Sequence, residues 1–101
     1  MEQQSIISNE RKCYISGRTD WLELHHVFGG TANRKISDKY GFWVYLNHYW
    51  HNEPPCEQNM GIGGVHFNPK LRLKLEQDCQ RKFEKTHSRE EFENLIGRNF
   101  L

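Results

Sequence analysis

The C-terminal third of the chain leaves the least freedom. Asn68 followed by Pro69 pairs an N-cap residue with proline at the first helical position. Leu71, Leu75, Cys79 and Phe83 then recur at every fourth position, the apolar stripe of a helix expected to run to about Thr86. Ser88 with Glu91 three residues on is a capping box for a second, shorter helix. Phe92, Leu95 and Ile96 are its apolar residues, and Gly97 is placed to end it. Both helices need an apolar surface to lie against, and the residues before them must supply it.

Those residues read mainly as strand and loop. Lys12–Ser16 alternates well enough for a strand, the following "GRTD" supplies a tight turn, and "WLELHHVF" reads as the returning strand of a hairpin. "GGTANRKISDKYG" is expected to be a loop with room for a helical turn. In "FWVYLNHYWHN" the first half is β-branched and aromatic, and the second half suits a short helix stopped by Pro54-Pro55. The class is therefore α+β. The 101 residues argue for one domain, expected over residues 12–101, with residues 1–11 frayed or disordered. A chain of this length buries only about 60–65% of its unfolded surface, so its core is small and a bound metal ion would help to close it.

Composition excludes some classes. No apolar run approaches the roughly 20 residues of a membrane span, and "MEQQSIISNERK" lacks the apolar centre of a secretory signal. Cys13, Cys56 and Cys79 are an odd number without paired spacing, which favours a reducing cytoplasm over a disulfide framework. A net charge of +1 writes no nucleic-acid footprint in the total. Basic residues do gather locally, in "NRKISDK" and along Lys70 to Lys85, where Glu76, Asp78 and Glu84 are interleaved with them.

Six histidines are many for a chain this short, and they are unevenly placed. His25 and His26 are adjacent at the end of a predicted strand, where alternation turns them to opposite faces. His48 and His51 lie three apart, on one face of a helical turn. His66 sits just before the long helix, and His87 near its end, where an imidazole suits the helix dipole and reads as structural. Two or three neutral imidazoles plus water leave an open coordination position, the arrangement of a catalytic rather than a structural ion. The absence of any CxxC pair sets a cysteine-based zinc ribbon aside.

"CYISGRTDWLELHHVFGGTANRK", "YGFWVYLNHYWHN", "GVHFNPKLRLKLEQDCQRKFEK" and the ending "IGRNFL" resemble small phage-borne HNH endonucleases, in particular those grouped with the RecA-dependent recombination-enhancement nuclease. The resemblance implies a ββα-metal (HNH, or His-Me finger) core with additional C-terminal helices. It implies one divalent ion and a metal-dependent endonuclease or nickase that hydrolyses phosphodiester bonds in DNA. On that resemblance His25 is a metal ligand, His26 the general base that activates water, and His51 a second ligand. His66 is the candidate third ligand, with His48 as the substitute. Arg34 and Lys35 are the expected contacts to the nucleic-acid backbone.

The ion is expected to be zinc as bound, with magnesium or manganese able to support activity. The implied setting is the cytoplasm of a bacterial host, with a RecA-type recombinase filament as a partner and a monomer or homodimer as the active species. Many relatives carry two CxxC pairs around a structural zinc. Here Ser16 follows Cys13 in the first pair, and Asn47 and Trp50 occupy the second, so that zinc is expected to be absent. Packing by Trp21, Trp43, Tyr45 and Trp50 is expected to replace it. The motif's middle asparagine falls nearest Gly41 or Phe42, with Asn47 and Asn52 as alternatives. A different reading keeps the histidines as a structural zinc site in a non-catalytic nucleic-acid-binding module, and RNA in place of DNA is open because phosphate contacts carry little sequence information.

Overall fold

A computed structural model describes residues 4–101. Strand β1, Leu22–His26, pairs antiparallel with β2, Trp43–Asn47, in a register that sets His25 opposite Val44 and His26 opposite Trp43. Four of the five β2 residues are buried. This explains why β1 pairs with β2 and not with Lys12–Ser16, the expected partner: the aromatic and β-branched segment brings the apolar surface. Lys12–Ser16 instead forms a tight turn closed by Gly17 N–H donating to the Cys13 carbonyl at 2.9 Å.

The connection between the strands is helix α1, Thr31–Tyr40, where the sequence reads as a loop. Its Asn, Ser and Asp residues disguise it. Asn33 reaches back to the Gly29 carbonyl at 2.8 Å, Ser37 is fully buried, and Gly41 ends the helix in the left-handed region at φ 76°.

The segment expected to fray lies partly outside the described residues. Within it the Ser5 hydroxyl donates to the Trp43 carbonyl, and Ile6 N–H donates to the Gly41 carbonyl at 3.0 Å. Farther on, Tyr14 N–H donates to the Tyr45 carbonyl at 2.9 Å. Together these contacts cover the edge of β2 that faces away from β1.

Helix α2, His48–His51, follows β2 directly, capped by the Asn47 side chain accepting from Tyr49 N–H. Helices α3, Pro69–Phe83, and α4, Arg89–Ile96, carry the expected Asn68 cap, Ser88–Glu91 capping box and Gly97 terminus. The class is α+β, with a two-stranded antiparallel unit followed by helices.

The core sits between sheet and helices around Phe28, Phe42, Phe83 and Phe92, with centroids 5.5–5.8 Å apart along Phe42–Phe83, Phe28–Phe42 and Phe83–Phe92. Each such ring contributes about 1.5–3 kcal/mol on burial. Trp43 and Trp50 are buried too, but Trp21 is 56% exposed, so the expected tryptophan packing is only partly realised and phenylalanines fill the centre. All three cysteines are free thiols, and among the described residues no helix is long and apolar enough to cross a membrane.

Candidate metal centre

Three imidazoles from three elements meet beside the sheet. His25 arrives on β1, His51 at the end of α2, and His66 on the segment leading into α3. One ring nitrogen from each lies within 4.8 Å of the other two, and such a group could hold one metal ion. His51 Nε2 and His66 Nε2 are 3.1 Å apart. His48, the substitute ligand, is engaged elsewhere: Glu23 faces its Nδ1 at 3.2 Å, Glu53 its Nε2 at 2.8 Å, and Trp21 stacks on its ring at 4.2 Å. His87 stacks on Phe83 at 4.2 Å, away from the triad.

What brings His66 to His51 is the chain between them. The fully buried Asn59 accepts from Cys56 N–H at 2.8 Å and Gly63 N–H at 3.1 Å, and donates to the Tyr49 carbonyl at 2.9 Å. A helix as short as α2 leaves its last carbonyls without partners inside the helix. Val65 N–H takes the Trp50 carbonyl at 2.9 Å, and His66 N–H takes that of His51 at 3.1 Å. This close approach requires Gly64, where a Cβ would stand 2.7 Å from the Trp50 carbonyl carbon and 2.8 Å from His51 backbone atoms.

The donor set fits an ion. Nε2 of His25 is buried and, among the described residues, has no hydrogen-bond partner. An unmet buried polar atom costs about 1–3 kcal/mol, which a cation would relieve where Nε2 is the nitrogen that His25 brings to the group. Burial pushes the His25 imidazole down to about 3, with His51 and His66 adding to the effect, so it is neutral and ready to ligate. His66 is also lowered, by burial and by its neighbours His51 and Arg72.

Glu23 accepts from His51 Nδ1 at 2.9 Å, fixing the tautomer that leaves Nε2 free. Burial works against the Glu23 carboxylate, but its hydrogen bonds from His51 and His48 outweigh burial and hold it below its ordinary range.

His26 lines the same cleft as the triad but is held by a different partner. Its Nε2 lies 2.8 Å from Asp38 Oδ1 on α1, 27% of the His26 side chain remaining exposed. All four rings, His25, His26, His51 and His66, line one cleft of about 280 Å³, and Arg34 from α1 lines it as well. Lys35 is exposed on α1 outside that lining.

Neither carboxylate was singled out in the sequence. Glu23 had a signal, since it stands two residues before His25 and so shares its face of the strand. Asp38 had none, because a helix not foreseen carries it. Of the candidates for the middle asparagine, Asn47 caps α2 and donates to the Asp20 carbonyl at 2.8 Å. Comparison with protein-family models, with curated proteins and with solved structures finds no match for this chain.

Proposed function

We propose that the chain is a metal-dependent endonuclease that hydrolyses phosphodiester bonds in DNA, built on a ββα-metal core of the HNH type. The observation that carries this reading is the pairing of two differently held sets of histidines in one cleft: a nitrogen triad suited to an ion, and beside it His26 held by a carboxylate. A site that served only to stabilise the fold would have no use for the second set.

His25, His51 and His66 would hold a divalent ion, which would supply Lewis-acid stabilisation of the negative charge that develops in the reaction. The chain's residues supply the rest. With Asp38 accepting from Nε2–H, a neutral His26 presents Nδ1 as its acceptor, and that atom takes the proton from the attacking water. The imidazolium so formed is stabilised by the Asp38 carboxylate. As the water oxygen bonds to phosphorus, the bond to the 3′ oxygen breaks. Arg34, on the wall of the cleft, offers a fixed positive charge to the phosphate.

The test is supercoiled-plasmid cleavage by metal-stripped protein with EDTA, magnesium, manganese or zinc. Nicking or linearisation that appears only with an added ion is the expected result. A protein that rebinds an added ion tightly yet cleaves with none of them would favour the non-catalytic binding module.

A further inference from the structure

A cavity of about 430 Å³, larger than the histidine cleft, lies where the C-terminal end of α1 meets the turn between α3 and α4. Tyr40, Phe83 and His87 line it, and Lys39, Lys82 and Lys85 stand around it. A second hollow shares Tyr40, Phe83 and His87 with it and continues past Glu91 and Asn94, with the Glu91 side chain accepting from Ser88 N–H in the capping box.

The charges of α3 divide into two groups. Lys74 and Arg81 are paired with Asp78, at 3.1 and 3.5 Å. Among the described residues no carboxylate lies within ion-pair distance of Lys39, Lys82 or Lys85. Lys39 Nζ stands over the Tyr40 ring at 5.4 Å, so in a chain of net charge +1 these three ammonium groups without a carboxylate partner, around one ring-lined hollow, are a local excess that an anion would complement.

Helix α1 connects the two places. Arg34 lines the histidine cleft and Lys39 lines this cavity. Five residues of helix advance about 7.5 Å along the axis and turn about 140° around it, so a strand that reaches both places passes around the C-terminal half of α1.

We infer that this cavity is a second nucleic-acid contact, in which Lys39, Lys82 and Lys85 hold a backbone phosphate of the strand whose scissile bond lies in the histidine cleft, with Tyr40 and His87 offering ring surface to its sugar or base. It rests on the nuclease reading only in taking the bound strand to be the substrate. The lysines add affinity and salt dependence and take no part in bond cleavage.

The experiment is binding of a fluorescent single-stranded oligonucleotide by the full chain in EDTA, where cleavage plays no part, over a salt series. Three proteins are compared: wild type, the triple variant Lys39→Ala, Lys82→Ala, Lys85→Ala, and a charge-matched variant Lys12→Ala, Lys74→Ala, Arg81→Ala. The cavity variant is expected to bind about tenfold more weakly at low salt, with a log–log salt slope shallower by about 0.7, the share of one phosphate on a single strand, while the control binds within about threefold of wild type.

Equal losses in the two variants would overturn the inference, as would wild-type affinity in the cavity variant. DNA binding by wild type that is indifferent to the cavity lysines would leave the nuclease reading standing. No binding by wild type would count against both. All six substituted residues are basic and largely exposed, and matching thermal unfolding of the three proteins excludes misfolding as the cause.

Discussion

His26 Nε2 and Asp38 Oδ1 stand 2.8 Å apart, an imidazole–carboxylate pair that ties the end of β1 to α1 twelve residues later. In the proposed reaction this pair divides two jobs. His26→Ala is expected to lower plasmid cleavage by about 10²–10⁴ while metal content is unchanged. Asp38→Asn should lose part of the same factor and Asp38→Glu should recover some of it, because Asp38 acts through His26. Single-turnover cleavage beside metal analysis reads both effects.

Metal content separates the ligands from their neighbours. His25→Ala, His51→Ala and His66→Ala are each expected to lose the ion after dialysis, whereas His48→Ala keeps it, since His48 lies between Glu23 and Glu53. Equal retention by the His66 and His48 variants would contradict the triad.

Glu23 orients His51 through Nδ1, so Glu23→Gln is expected to weaken metal affinity by about 10–100-fold without unfolding the chain. Competition with a chromophoric chelator measures it. An affinity within twofold of wild type would remove Glu23 from the site.

The distance between sequence and structure follows from how far each signal reaches. Caps, capping boxes and four-residue apolar spacing are local, and α3 and α4 begin and end close to where Asn68, Ser88 and Gly97 place them. The ligands that the resemblance implies are His25, His51 and His66 or His48, and the side chains of His25, His51 and His66 do come together. What stayed hidden depends on the competition between segments. Lys12–Ser16 has acceptable alternation, but Trp43–Asn47 buries more and takes β1 as its partner. That exchange made the intervening residues the connection, and α1 carries Asp38 to His26 only because of it. Asn59 and Gly64 are equally silent in one dimension, since the carbonyls and backbone they serve belong to α2 and its surroundings.

Gly64 gives a test of that packing. Gly64→Ala places a methyl group against backbone that cannot swing aside, and the expected cost is about 1–3 kcal/mol of stability together with weaker metal binding as His66 is displaced. Gly29→Ala, where an added Cβ meets nothing within 4 Å, is the control and should change neither. Denaturant unfolding of the two variants decides between them.

The buried imidazole predicts a pH effect on the metal-free protein. His25 protonates near 6.5 in the unfolded chain but only at about 3 when folded. Between those values the unfolded chain binds more protons, so His25 makes stability fall as pH drops from about 6.5 toward 3. Thermal unfolding in EDTA should therefore decline more steeply with acid for wild type than for His25→Ala. Parallel curves for the two proteins would contradict it.

The most direct measurement of the central claim is metal content and plasmid nicking determined on single preparations of wild type, His25→Ala and His26→Ala. The account predicts bound metal and nicking in wild type, bound metal without nicking in His26→Ala, and neither in His25→Ala. Nicking by His26→Ala at the wild-type rate, or by metal-free His25→Ala, would contradict it.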